Sequence, residues 1–158
     1  MLKELIRDFK RIKDSEKINS DEFLCGVFLI CEVKDLKNTP WQFDFYNKEK
    51  DSMRSYKIEE QIEETDNSEV FKNENIEIEE LNLEEIKIDF EELEPKLTEI
   101  LNNYKEIAVK ISIIIQKQNH IPIWNIIYIT KNFNLINIKI NAIDGKILED
   151  KVVPLISF

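Results

Sequence analysis

Glycine is almost missing from this chain: only Gly26 and Gly145 occur among 158 residues. Loops that cradle phosphate need several glycines, because the backbone must approach the ligand closely in unusual dihedrals. Neither G-x-G-x-x-G nor G-x-x-x-x-G-K is present, which argues against the common nucleotide-binding loops. Histidine is scarcer still, with His120 alone. A zinc centre draws on three or four nitrogen and sulfur ligands, and one histidine with two cysteines outside any C-x-x-C spacing does not supply them. Any Ser-His-Asp or Cys-His pair would have to use His120, whose setting Gln-Asn-His-Ile-Pro reads as a solvated turn before a strand. No catalytic residue, metal or cofactor is therefore expected, and the chain reads as a non-enzyme.

Long apolar runs are absent too. No stretch approaches the roughly 18 residues needed to cross a bilayer, and the N-terminal segment MLKELIRDFKRIK lacks an apolar signal core. Cys25 and Cys31 fall within one apolar run. In a strand they would share a face about 20 Å apart, beyond the reach of a disulfide. Two reduced thiols that pack as small apolar residues suit a reducing compartment, so a cytoplasmic protein with no membrane partner is expected.

Charge is abundant and lopsided. The net charge is -10. From Glu59 to Glu94 there are 16 acidic residues against Lys72 and Lys87, a net of -14, which leaves the rest of the chain at +4. Phosphates would be repelled by that segment, so nucleic acid is not an expected partner. The acidic middle carries Glu77, Glu79 and Glu80 as candidate contacts for a basic partner.

Apolar spacing predicts the elements. Leu2, Leu5, Ile6, Phe9 and Ile12 recur at helical intervals over 2–14. Residues 22–34 read as a strand buried on both faces. A turn at 35–40 leads to an alternating strand at 41–45, a polar loop at 47–52 and a return strand at 53–58. Residues 59–75 read as a mobile connection, 76–79 as a short strand, and Leu81, Leu83, Ile86 and Ile88 as an extended segment crossing the surface. Asp89 with Glu92 has capping-box spacing for a second helix; the alternative start is Pro95 at a first helical position. Strands are then expected at 107–115, 123–130, 135–142 and 146–153, with a turn at 116–122, a hairpin loop at 131–134 and a tight turn at Asp144-Gly145.

Placing Trp41 on Trp124, an offset of 83, superposes helix, apolar strand, Pro-Trp turn, aromatic strand and hairpin. The fold class expected is α+β, with two αβββ units in tandem: 1–58, an acidic connection at 59–87 with one strand, and 88–158, joined as one pseudo-symmetric body. Trp41, Trp124 and Tyr128 are the aromatic candidates for a binding groove.

Within the second unit, Ile140-Asn141-Ala142-Ile143-Asp144-Gly145-Lys146-Ile147-Leu148, preceded by Trp124-Asn125-Ile126-Ile127-Tyr128, resembles the PepSY family and its final hairpin V-D-A-x-T-G-x-V-L. Asn141 and Asp144 replace the family's usual Asp and Thr. The related cystatin-like folds share this pattern. The resemblance covers about 88–150 and implies a helix on an antiparallel meander that binds protein or peptide, often as an inhibitor, usually outside the cytoplasm. The leading expectation is thus a protein- or peptide-interaction module, with a homodimer through a free sheet edge as a further expectation. An acidic nucleic-acid mimic or immunity-type inhibitor is the alternative, and a carboxylate-based enzyme with a cleft between the units is the third.

Overall fold

A computed structural model describes residues 1–59, 61–69 and 77–156. The order is α1 (Leu2–Asp14), β1 (Glu22–Glu32), a 3-10 helix (Val33–Asn38), β2 (Gln42–Asn47), β3 (Ser52–Ile58), β4 (Ile62–Glu69), a second 3-10 turn (Leu83–Glu85), α2 (Phe90–Asn103), β5 (Ala108–Gln118), β6 (Ile121–Thr130), β7 (Asn134–Asn141) and β8 (Ile147–Pro154). The chain is α+β. Its strands form one antiparallel sheet ordered β4-β3-β2-β1-β5-β6-β7-β8.

Register explains which side chains are buried. Leu29 faces Ile113, Ile113 faces Ile126, and Ile126 faces Ile138. Two residues along, Val27 lines up with Ile115, Trp124 and Ile140 on one side and with Phe43 and Tyr56 on the other. These residues join Leu5 and Ile12 of α1 and Phe90, Leu93, Leu97 and Ile100 of α2 in one buried cluster. Both helices therefore cover the same face. The opposite face presents Phe28, Ile114, Asn125 and Lys139 in one row and Ile30, Ser112, Ile127 and Asn137 in the next.

This corrects the expectation that β1 is buried on both faces. Ile30 is 53% exposed. The strand is apolar throughout because its outer residues lie on the uncovered face of the sheet's central pair. A register shift between Leu24 and Gly26 also breaks its alternation. Cys31 packs against the core cluster, whereas Cys25 lies outside it, so the two cysteines do not share an environment.

The acidic middle is more ordered than its composition suggests. Ile62–Glu69 is a strand on β3, not a mobile connection; residues 60 and 70–75, and Ile76 of the expected short strand, lie outside the described residues. Residues 77–79 form no strand. Nor does the next segment run over the surface: Leu81, Leu83 and Ile86 are core residues. Leu81 donates its N–H to Leu24 O at 2.7 Å, and Lys87 and Ile88 both donate to Ala142 O. The segment is a strap that gives its alkyl groups to the shared core and leaves Glu80 and Glu84 exposed.

One turn differs from expectation, and one of the two offered starts of the second helix is chosen. Asn119 and His120 both have positive φ, 49° and 65°, so a two-residue turn with left-handed residues joins β5 to β6 and Pro122 lies inside β6. Pro95 sits inside α2, not at its start. The helix begins at Asp89, where Phe90 N–H donates to Oδ1 at 2.7 Å and Glu92 closes the capping box onto Asp89 N–H at 2.8 Å.

Candidate functional site

The sequence candidates fall in two places. Trp41 and Tyr128 line adjoining cavities, about 760 and 480 Å³, in a groove between α1, α2 and the 3-10 helix. Leu36, Lys37, Asn38 and Glu94 border both cavities. Glu77, Glu79 and Glu80 line a smaller cavity of about 380 Å³ elsewhere, with Phe23, Tyr46 and His120. Trp124 borders neither: it is fully buried.

Trp41 and Tyr128 line the groove, and Glu4, Glu59, Glu91 and Glu94 share its rim with Arg7, Lys34 and Lys37. Trp41 is 7% exposed and Tyr128 is 6% exposed. Buried indole N–H and phenol O–H groups ordinarily find hydrogen-bond partners. Trp124 does: its Nε1 donates to Ile88 O at 3.0 Å. Among the described residues, neither the Trp41 Nε1 nor the Tyr128 hydroxyl has one. Two tryptophans that sequence treats as equivalents therefore differ in kind. Trp124 is a satisfied core residue, and Trp41 lines a cavity wall.

Burial, and then the charge of Glu94, push the Tyr128 phenol up to about 12. It stays protonated at neutral pH and keeps both donor and acceptor capacity. Exposed Glu4, Glu59 and Glu94 stand at the rim, while Asp8 is engaged by Arg7 at 3.2 Å.

The second cavity has a structural explanation. Glu79 accepts the His120 amide at 3.0 Å, and its carboxylate lies 2.7 Å from His120 Nδ1. It ties the strap to a turn whose two residues are both left-handed. Glu77 and Glu80 are exposed beside it. His120 is the solvated turn residue the sequence indicates, with its side chain 89% exposed, and Glu79 is the partner that sequence spacing does not reveal.

In the final hairpin, Asn141 and Asp144 both bond the backbone of the turn. Asn141 Oδ1 accepts the Ile143 amide at 2.8 Å, and Asp144 Oδ1 accepts the Lys146 amide at 2.9 Å. Short polar side chains close the turn, and Gly145 supplies a φ of 76°.

Cys25 is a buried thiol. Burial first, and the nearby Asp44 next, push its thiol up to about 12, and its Sγ contacts Asp44 O at 3.3 Å. A thiol reagent at mildly alkaline pH should leave Cys25 unmodified in the native protein and modify it once denaturant is added. Mass mapping of the labelled residue checks this. Labelling of native Cys25 as fast as of the unfolded chain would contradict it.

Among the described residues, no group of three or more His, Cys, Asp or Glu is placed to hold a metal ion. No helix among them is long and apolar enough to cross a membrane. No family model and no curated protein matches the chain. Among solved structures it is similar to the crystal structure of a protein from Clostridium difficile 630 described as a "putative lipoprotein", with 16% identity and a TM-score of 0.57 over 92% of this chain and 90% of that one. At that identity the likeness is one of fold: an α+β chain built on a single antiparallel sheet.

Proposed function

We propose that the chain is a non-enzymatic module that binds a protein or peptide, and that the groove between α1 and α2 takes a basic, extended segment of that partner. One observation carries this reading: Trp41 and Tyr128 line adjoining cavities, where Glu4, Glu59 and Glu94 stand among Arg7, Lys34 and Lys37. An extended peptide offers backbone carbonyls to both donors, and its Lys or Arg side chains would meet Glu4, Glu59 and Glu94. Exposed carboxylates suit binding better than acid–base catalysis, which relies on burial to tune them. The nucleic-acid mimic is the weaker alternative, because part of the acidity is already engaged, as Glu79 with His120 and Glu85 with Lys117.

The tandem, PepSY- or cystatin-like architecture belongs to the same proposal. Each helix is followed by four strands, one more than the αβββ unit expected from the pattern. The offset of 83 carries β3, residues 52–58, onto 135–141, against an observed β7 at 134–141. On this reading the units join through β1 and β5, and the groove lies where their helices meet.

The test uses the two indole N–H signals of the full chain in an amide correlation spectrum. Titrating a capped Val-Lys-Val-Arg-Val peptide should shift the Trp41 signal and leave that of Trp124 in place. Trp41→Phe and Tyr128→Phe should each weaken binding roughly tenfold, the loss of one hydrogen bond, without changing the fold. A shift confined to residues around Glu79 and His120, or no shift at all, overturns the assignment.

A further inference from the structure

Among the described residues the sheet ends in two unpaired edges, β4 and β8, and they differ in character. The β4 sequence IEETDNSE holds four acids and no base. Two such edges would repel one another, a common protection against edge-to-edge pairing. The β8 sequence ILEDKVVP is apolar at both ends. Ile147 is 45% exposed, Leu148 50%, Val152 41% and Val153 46%. Nothing among the described residues covers them.

We propose that β8 is a self-complementary edge through which two copies of the chain pair antiparallel about Asp150. A two-fold axis normal to the sheet keeps both copies' side chains on matching faces, so its centre must fall on a residue. Centred on Asp150, Glu149 meets Lys151 of the second copy and Lys151 meets its Glu149. Leu148, the extra residue where β8 bulges between its pairings with Lys139 and Ile140, then lies beside Val152 of the second copy, and Ile147 lies beyond the bulge toward Val153. Centring on Glu149 or Lys151 sets like charges face to face and places Asp150 opposite an aliphatic side chain. Only the Asp150 centre pairs opposite charges and joins apolar residues on both sides.

The backbone agrees. Leu155 N–H donates inward to Phe133 O at 2.9 Å. Alternation along an antiparallel ladder then turns Lys151 and Val153 toward β7 and leaves the amide and carbonyl of Asp150 and Val152 pointing outward. Pro154, which has no N–H, lies beyond the paired stretch and limits the ladder's length. The single like-charge meeting is Asp150 with its own copy, and there Tyr104 donates its hydroxyl to Asp150 Oδ1 at 2.8 Å. The central Glu-Asp-Lys thus discourages an arbitrary strand and accepts the chain's own copy. Pairing would put the helices of both copies on one side of a continuous sheet. This inference does not rest on the groove.

The test is a charge swap read by sedimentation equilibrium on the full chain from micromolar to millimolar concentration. The unmodified protein should show a monomer–dimer equilibrium. Glu149→Lys sets two Lys–Lys pairs at the seam, and Lys151→Glu sets two Glu–Glu pairs. Each variant alone should dimerise at least about tenfold more weakly, because every affected cross-strand pair changes sign. Mixed in equal amounts, the two variants regain both opposite-charge pairs and should form a one-to-one heterodimer. Circular dichroism of each variant controls for folding. A wild-type protein monomeric at all concentrations overturns the proposal. So do single variants that dimerise as the wild type does, or a mixture that stays monomeric.

Discussion

Replacing Trp124 by alanine should lower the unfolding free energy by about 3–5 kcal/mol, as removal of a fully buried aromatic does. For a domain of this size, that is a fall in melting temperature of roughly 10 °C or more. Two losses combine. The ring fills the core beside Phe90, with centroids 6.0 Å apart, and its removal leaves a cavity there. The indole also holds the strap, donating to Ile88 O while Ile88 N–H is fixed to Ala142 O. Trp124→Phe separates these effects. It keeps much of the volume and leaves the Ile88 carbonyl without its donor, a loss of about 1–3 kcal/mol. Denaturant melts of both variants check the ordering. A phenylalanine variant as unstable as the alanine variant would mean that the hydrogen bond dominates; one indistinguishable from wild type would mean that the strap is held by its apolar residues alone.

How much of this was legible beforehand depended on whether a feature is local. Helix α1, the capping box at Asp89 and the alternation of β7 are short-range patterns, and each stands within a residue or two of where spacing puts it. The strap illustrates the opposite case. Leu81, Leu83 and Ile86 recur every two or three residues among carboxylates, which fits a surface ribbon as well as a buried one. Only contacts far away in sequence, such as Leu81 N–H on Leu24 O and Ile88 N–H on Ala142 O, decide that these side chains go inward. β4 is similar. Its polar text carries no strand signal, and it forms because β3 presents an open edge to it. For the groove, sequence supplied Trp41 and Tyr128 as aromatic candidates and grouped them with Trp124. It could not show that one indole is satisfied and the other is not, because that turns on a single carbonyl at Ile88. The rim residues Glu4 and Glu94 were lost among 32 acids, since nothing in their local spacing distinguishes them from solvated ones.

Asp89→Ala should have the second-largest effect on stability, about 1–4 kcal/mol, because one carboxylate caps two helices. Phe90 N–H, the first of α2, donates to Asp89 Oδ1 at 2.7 Å. Leu2 N–H, the first of α1, donates to the same carboxylate at 3.0 and 3.3 Å. α1 has no side-chain cap of its own. A single capping residue is worth about 0.5–2 kcal/mol, and here both caps are lost together, along with the negative charge that two helix N-termini attract. Asp89→Asn retains a carbonyl acceptor for one amide but loses the charge and the second oxygen, so it should fall between wild type and alanine. The distinguishing readout is amide hydrogen exchange. Loss of protection should appear in the first turn of α1 as well as in that of α2, although 87 residues separate Leu2 from Asp89. Were only α2 to lose protection, the contact with α1 would be passive, and the two helices would be joined through the core alone. Loss in both makes Asp89 the polar link between the helices, at the end of the molecule where Glu4 and Glu94 rim the groove. A groove whose walls are fixed at their N-termini in this way meets its ligand with the walls already in place, which keeps the ordering cost of binding low.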